Sequence, residues 1–454
     1  MSTASAQKIL LLYSSMEKVF RDPVYNLMRF DHDRDRLVLQ LLDSAEVQRL
    51  RNIRQMGVSD FIFPGATHTR FAHSLGVTYL MKLVIERMDL LRRDPRYEHI
   101  AASLDEHREM LLATALLHDL GHFPFSHLME EVIKQDHEAW SVKLIEDPQS
   151  EVHQMLRQAD TGYLEYVPSI LKRTFKPSYV VKLISSQLDV DRMDFLRRDS
   201  LHSGVDYGNF DLDWLIHSLR IVEHEGDYEL ALDAHKGIQV AESYVMGRHA
   251  MYQQVYLHKT ERAAGALMLK LLERAKVLLL EDRLLDTPGP VKALLRNPDQ
   301  LNRENFLQLD DVLLRYAISL WTHSKDTILA DLANRFLQRR LFKSLMLKQE
   351  KDASLEQALR ALVQHNGFDP DYYLVFDSAI DSPYKDDYLV QRSDKASQRI
   401  YLLKENGELI GLSETSQLIQ SLRNRKIRTE RVCFPEELRQ PLLDFAEKND
   451  IFGV

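Results

Sequence analysis

The sequence predicts a mainly α-helical protein, with one small β-hairpin set among the helices and an α+β region appended at the C-terminal end. Three observations carry this. Apolar residues recur at helical spacing from Thr69 to about residue 348, with few breaks. Inside that span Ile221–Ala234 reads differently, as two β-friendly runs on either side of Glu225-Gly226-Asp227. Beyond about residue 350 the pattern changes to strand-like runs interleaved with short helices.

The chain has 454 residues, 44% hydrophobic and 28% charged, as expected of a globular protein with a large core. The change of pattern divides it into residues 1–350 and 351–454. No apolar run reaches about eighteen residues, so no membrane helix is expected. The segment from Met1 to Lys8 lacks the charged start and long apolar core of a signal peptide. A single cysteine, Cys433, excludes an intrachain disulfide and a multi-cysteine zinc site, and fits a reducing cytoplasm. The net charge of −9 argues against a protein that coats nucleic acid, while leaving room for a local basic pocket.

Taken in order, Lys18–Val24 reads as extended and the aspartate-rich stretch up to residue 42 as loop. Asp43–Met56 reads as an amphipathic helix, with Val47, Leu50 and Ile53 apolar, Arg49, Arg51 and Arg54 between them, and Asp43-Ser44 as its cap. Phe61–Ala66 reads as a strand-like fragment entering a turn. Helices are expected over Thr69–Leu90 and Ser103–Leu120, joined by a charged linker at Arg92–Tyr97. Further helices are expected over 129–146, 150–158, 165–173, 178–187 and 191–199, and one long helix over 237–281. In the tail, Tyr372–Phe376, Ile400–Leu403 and 429–434 read as strands, and 413–422 and 435–448 as helices.

Met110–Leu117 is apolar except for Thr114 and shows no alternation, which predicts a helix buried on all sides. Gly121 and Pro124 end it, so His118 and Asp119 fall at its deep end. Burying a carboxylate without a partner costs roughly several kcal/mol. A bound cation would satisfy both side chains; a histidine bonded to a backbone carbonyl beside a capping aspartate is the plainer alternative. Two further segments supply the same donor types, Thr69–Gly76 with His73 and Gln187–Phe195 with Asp191. Nitrogen and oxygen donors without thiolate suit one divalent transition metal: iron, manganese, zinc or nickel.

Three blocks carry a resemblance. They are Phe63-Pro64-Gly65-Ala66-Thr67-His68-Thr69-Arg70-Phe71-Ala72-His73-Ser74-Leu75-Gly76, His118-Asp119-Leu120-Gly121-His122-Phe123-Pro124-Phe125-Ser126-His127, and Asp189-Val190-Asp191-Arg192-Met193-Asp194-Phe195-Leu196-Arg197-Arg198-Asp199. In this order they resemble the HD-domain phosphohydrolases, in particular the deoxynucleoside triphosphate triphosphohydrolase branch. The resemblance covers about residues 16–345 and implies the helical HD-domain core. It implies that His73, His118, Asp119 and Asp191 hold one metal, with Mg²⁺ or Mn²⁺ accompanying the substrate phosphates. It also implies that His122, His127 and His137 face the phosphates. His127 is then the general acid, with Glu130 behind it where relatives have an aspartate.

A triphosphate needs local cations, and Arg70, Arg192, Arg248 and Lys259 are the candidates. Arg192 stands where relatives have a lysine. On a helix read over Tyr244–Leu257, Arg248, Tyr252 and Tyr256 share a face, where the tyrosines can stack on a base or pack beside a deoxyribose. Gln55 and Asp199 match residues that read the 3′-hydroxyl, and Met56 the position that crowds a 2′-hydroxyl. Phe195, Tyr252 and Leu257 replace a tyrosine, a histidine and a glutamine of relatives, so base and sugar preference stay open. Asp43, Gln48 and Arg51, with Lys18 and Val19, match a cluster that reads a guanine-nucleotide effector at a subunit interface.

The resemblance thus implies a cytoplasmic homo-oligomer, dimer or tetramer, that cleaves dNTPs to deoxynucleoside and inorganic triphosphate. GTP or a dNTP is the expected activator. The tail shows no readable chemistry and is expected to stabilise the oligomer. The alternatives are an HD phosphohydrolase acting on a different nucleotide, and a nucleotide-sensing or nucleic-acid-binding protein whose site is idle.

Overall fold

A computed structural model describes residues 17–284, 286–348, 351–384, 399–449 and 451–452. The segment from Met1 to Lys8, weighed above as a leader, lies outside the described residues.

The described chain opens with an antiparallel hairpin of β1 (Glu17–Asp22) and β2 (Asn26–Asp31), with Lys18 opposite Phe30. The aspartate-rich stretch expected as loop is therefore a strand followed by α1 (Arg36–Leu42). Its aspartates make the turns. Asp22 Oδ1 accepts from the Val24 and Tyr25 N–H groups at 2.9 and 3.1 Å, and Asp31 Oδ1 from those of Asp33 and Arg34 at 2.9 Å. The helix expected over Asp43–Met56 is shorter, α2 (Ala45–Arg49) with one 3₁₀ turn after it. Asp43 closes α1, Ser44 caps α2 by accepting from Val47, and Ile53 turns extended so that Arg54 pairs with Thr69. Phe61–Ala66 is not a strand: a 3₁₀ turn at Ser59–Phe61 leads into further turns, closed by Ala66 N–H to the Phe63 carbonyl at 2.8 Å.

Helices α3 (Arg70–Leu90) and α4 (Glu98–Leu117) make the most extensive helix–helix contact, and Met110–Leu117 is buried throughout. The signal over 129–146 splits into α5 (His127–Ile133) and α6 (His137–Glu146), because Lys134 takes a left-handed φ of 59° and Asp136 caps the next helix. Then follow α7 (Glu151–Ala159), α8 (Tyr163–Leu171), α9 (Ser178–Ile184), α10 (Val190–Ser203) and α11 (Leu212–Ser218). The expected hairpin is β3 (Leu219–His224) and β4 (Asp227–Asp233). The long helix expected over 237–281 is two, α12 (Ile238–Met251) and α13 (Lys259–Leu280), separated by a π turn at Tyr252–Tyr256. The helical part ends with α14 (Gly289–Arg296), α15 (Arg303–Gln308), α16 (Asp311–Trp321) and α17 (Thr327–Leu337).

In the tail come β5 (Lys343–Met346), α18 (Ala353–His365), α19 (Pro370–Tyr373) and β6 (Val375–Asp381). Tyr372 and Tyr373, expected in a strand, instead end α19, and the strand begins at Val375. After them come β7 (Tyr401–Leu403), β8 (Leu409–Gly411), α20 (Leu412–Thr415), α21 (Gln417–Leu422), β9 (Ile427–Phe434) and α22 (Arg439–Asn449). Strand β4 pairs in parallel with β7, giving a sheet of order β3-β4-β7-β8, and β9 is central in a second sheet, β5-β9-β6. The architecture is mainly α, and among the described residues no helix is long and apolar enough to cross a membrane.

Two glycines set the helix spacing around the buried centre. A Cβ on Gly76 would lie 2.1 Å from Asp194 Oδ1 and 2.4 Å from Arg198 Nη2, so the bare glycine of α3 lets α10 approach. A Cβ on Gly121 would lie 2.1 Å from the His137 carbonyl, where the end of α4 meets α6. Gly76→Ala is expected to force α3 and α10 apart and to cost about 2–3 kcal/mol. The urea unfolding midpoint measures this; an unchanged midpoint contradicts the packing described.

Candidate metal centre and adjoining cavity

Three elements converge in the core. Helix α3 carries His73, the end of α4 delivers His118-Asp119, and the first turn of α10 carries Asp191. His73 Nδ1 lies 2.8 Å from Asp194 Oδ2, so Nδ1 bears the proton and Nε2 is the nitrogen that would offer its lone pair to a bound metal. His118 is set the same way, its Nδ1–H donating to the Ala115 carbonyl at 2.9 Å. Both Nε2 atoms face the same carboxylates. His73 Nε2 is 3.1 Å from Asp191 Oδ1 and 3.6 Å from Asp119 Oδ2; His118 Nε2 is 3.7 Å from Asp191 Oδ1 and 3.4 Å from Asp119 Oδ1. His118 Nε2 is buried with no hydrogen-bond partner. An orphaned acceptor beside two carboxylates is costly without a cation, and His73, His118 and Asp119 place ligand atoms within 4.8 Å of one another. The donors fit a divalent metal. Burial pushes the Asp119 carboxyl up, but His118 and Arg70 outweigh it and hold it well below the usual carboxylate range. Arg70 donates from Nη1 to Asp119 Oδ2 at 2.6 Å and from Nε to Ser126 Oγ at 2.9 Å.

Beside this centre three imidazoles surround one carboxylate. Glu130 Oε1 lies 2.8 Å from His137 Nδ1 and 3.3 Å from His122 Nδ1, and Oε2 lies 3.2 Å from His127 Nδ1. The rings of His122 and His137 stack with centroids 3.8 Å apart. Burial, with Arg70 and His137 nearby, pushes His122 down to about 3, so it stays neutral. His137 is also buried, but its bond to Glu130 carries it up.

The loop ahead of His127 is strained, with φ of 54° at Phe125 and 52° at Ser126, each costing about 1–2 kcal/mol in a residue with a Cβ. Two helices hold it. Asp311 of α16 accepts from the Phe125 N–H at 2.8 Å and from the Arg54 N–H at 2.9 Å, and Arg49 of α2 donates from Nη2 to the His122 carbonyl at 2.7 Å.

One cavity of about 570 Å³ adjoins both clusters. Its lining includes His73, Asp119, Asp191, His122, His127 and His137, and also Gln55, Met56, Arg70, Phe195, Asp199, Tyr252 and Tyr256. His118 and Glu130 are not on this lining. Three expected phosphate cations lie off the lining. Arg192 donates to Asp189 and to the Ser186 carbonyl, and Arg248 Nη2 is 3.2 Å from Gln187 Oε1 and 2.6 Å from the Pro383 carbonyl. Lys259 is exposed on the first turn of α13. The single helical face expected for Arg248, Tyr252 and Tyr256 is broken by the π turn. The two tyrosine rings still pack edge to face, 5.2 Å apart.

Sequence reasoning missed several contributors. Asp194 stands three residues after Asp191 on α10, a spacing that could have marked it. His68 lies inside the first block without a role read from it, and nothing local marks Asp311, or Val375, Phe376 and Asp377 of β6; these three β6 residues line the same cavity.

A second cavity, of about 530 Å³, is lined by Lys18, Asp43, Gln48 and Arg51 with Arg36 and Phe71 among others, while Val19 lies outside that lining. The Arg51 guanidinium sits 3.6 Å over the Phe71 ring and donates to Gln48 Oε1 at 2.7 Å. Phe71 is two residues from His73 on α3.

The HD domain family matches residues 70–194, and the HD-associated region matches residues 210–287. A Bacillus subtilis protein described as uncharacterised is 37% identical over 424 residues, 93% of each chain. Deoxynucleoside triphosphate triphosphohydrolase SAMHD1 from Homo sapiens is 28% identical over 288 residues, 56% of this chain and 44% of that protein. Among solved structures, a phosphohydrolase from Bacteroides thetaiotaomicron matches with a TM-score of 0.75 at 28% identity, over 92% of this chain and 100% of that one. The chain belongs to the HD-domain superfamily, in its deoxynucleoside triphosphate triphosphohydrolase-like branch, and is a phosphohydrolase.

Asp191→Ala is expected to lower metal content of the purified protein at least about tenfold, whereas His127→Ala, outside the ligand set, retains it. Elemental analysis measures both; full metal retention in the Asp191 variant contradicts the assignment.

Proposed function

We propose that the protein hydrolyses deoxynucleoside triphosphates to deoxynucleoside and inorganic triphosphate. The observation that carries this reading is one cavity faced both by the metal-ligand cluster and by the histidines around Glu130, with Gln55, Asp199 and Tyr256 on its wall. Residues His73, His118, Asp119 and Asp191 would hold the metal. When bound, a divalent cation there polarises a phosphoryl oxygen and makes water easier to deprotonate at neutral pH. Mg²⁺ or Mn²⁺ would arrive with the substrate phosphates.

The chain's own residues then have distinct tasks. Arg70, held by Asp119 and Ser126, presents its charge to the phosphates. His122, kept neutral, offers a hydrogen bond without charge. His127 is bonded at Nδ1 to Glu130, so its other nitrogen is the one that reaches the cavity as general acid. Water adds to the α-phosphorus and gives up a proton to solvent, the bond to the nucleoside 5′-oxygen breaks, and that oxygen takes the proton from His127, which solvent then reprotonates. His137, carried up by Glu130, adds positive charge beside the phosphates. Gln55 and Asp199 read the 3′-hydroxyl, Met56 crowds a 2′-hydroxyl, and Phe195, Tyr252 and Tyr256 surround sugar and base.

We assign the second cavity to a GTP or dNTP effector, read by Asp43, Gln48 and Arg51 with Lys18 and Val19 at its edge. An aspartate can accept from guanine N1 and N2 while an arginine donates to O6 and N7. Phe71 under Arg51 gives such an effector a physical path to His73 through α3. In this reading the protein is a cytoplasmic homo-oligomer, residues 1–350 carry the metal-ligand and histidine clusters, and residues 351–454 support the assembly and complete one wall of the cavity through β6. A second reading, a different nucleotide with fewer phosphates, is favoured by one observation: Arg192 and Arg248 are engaged inside the protein.

The test is product analysis with each dNTP and Mn²⁺ or Mg²⁺, with and without GTP. The expected outcome is deoxynucleoside plus triphosphate, raised by GTP and reduced on the order of a thousandfold in Asp191→Ala. Turnover of nucleoside monophosphates or cyclic nucleotides alone contradicts the dNTP assignment.

A further inference from the structure

His68 is neither a metal ligand nor one of the histidines around Glu130, yet it touches both residues assigned above to the sugar. Its Nε2 is 2.7 Å from Asp199 Oδ1, and both side chains are buried. Its backbone carbonyl accepts from the Gln55 N–H at 3.0 Å. Asp199 Oδ2 accepts from the Tyr256 hydroxyl at 2.7 Å. Each Asp199 oxygen therefore carries one donor and keeps a further lone pair. Gln55 Oε1 is buried without a partner. Asp199 and Gln55 line the same cavity, so this wall offers acceptors and complements a ligand O–H.

The fold delivers His68 to that place. A Cβ on Gly65 would lie 2.4 Å from the His202 carbonyl, so the loop before α3 presses directly on the last turn of α10. The His68 ring stacks on His202 with centroids 4.3 Å apart. His68 Nδ1 is buried with no partner, and a proton there would have no acceptor. The proton therefore sits on Nε2 and is donated to Asp199.

Resting on the deoxynucleotide reading above, we propose that His68 is a positioning residue for recognition of a sugar hydroxyl. Its side chain fixes the Asp199 carboxylate, and its main chain fixes Gln55 beside it. The ligand class this selects is a nucleotide with a free 3′-hydroxyl.

The test compares kcat/KM for a dNTP and its 2′,3′-dideoxy counterpart in the wild-type chain and in its His68→Gln and His68→Phe variants. Glutamine keeps an N–H donor near the position of Nε2; phenylalanine keeps the ring on His202 and removes the donor. The wild type and His68→Gln are expected to favour the hydroxyl-bearing nucleotide by on the order of tenfold or more. In His68→Phe that preference falls to about threefold or less, while the melting temperature stays near wild type. Equal slowing of both nucleotides by His68→Phe overturns the proposal, because a structural role alone does that. A wild type that hydrolyses both nucleotides equally overturns it too, and leaves the hydrolase reading standing. A wild type that hydrolyses neither removes both.

Discussion

The site depends on burying negative charge in a helical core without leaving it unpaired, and Asp194 does most of this. Its carboxylate lies 2.8 Å from His73 Nδ1, accepts from the Tyr25 hydroxyl at 2.8 Å, and accepts from Arg198 Nε at 2.9 Å. Arg198 reaches on to Asp22 Oδ2 at 2.8 Å. The first hairpin, α3 and α10 are thereby tied into one buried network. Stripping water from such charges costs several kcal/mol each, roughly, unless geometry and hydrogen bonds return it. The return here is complete enough to fix the His73 ring, and with it the direction of Nε2. Gly76 makes the arrangement possible, because no side chain at that position could coexist with Asp194 and Arg198.

A second economy governs the loop that follows α4. Its left-handed residues, Phe125 and Ser126, are paid for by Asp311 and Arg70. Burial pushes the Asp311 carboxyl up to about 6, and two backbone N–H groups are its partners. The histidines that face the cavity are thus aimed by residues from α2, α3 and α16, far apart in sequence. The C-terminal strand β6 does the same for the other wall. It lines the cavity at Val375–Asp377, and Asp381 lies 2.7 Å from His249 Nδ1 and accepts from Gln253 at 2.8 Å.

The part of this that was legible in the sequence is the part encoded locally. The apolar run before His118-Asp119, and the glycine and proline after it, announce a buried helix with ionisable groups at its end. The hairpin at Glu225-Gly226-Asp227 was equally plain, because its turn residues are its own signal. The Asp22–Asp31 hairpin was not, since aspartates read as loop whether they end a strand or replace one. The π turn at Tyr252–Tyr256 was invisible because its sequence suits a helix, and the neighbouring residues Arg248, His249 and Gln253 are anchored to Pro383 and Asp381, more than a hundred residues away. In the sequence Arg192 and Arg248 read as candidate phosphate cations because composition does not reveal which carbonyl or carboxylate claims a guanidinium. Asp311 carries no local mark, and His68 sits in the first block with nothing there to show its partner; their roles exist only once distant backbone is brought together.

Anomalous diffraction from crystals of the iron- or manganese-loaded protein locates the ion without relying on activity, and so tests the ligand set of the buried centre. One strong peak per chain is expected, held by Nε2 of His73 and His118 and by the carboxylates of Asp119 and Asp191. A peak among His127, Glu130 and His137 instead, which also lie close enough to hold a cation, would contradict it.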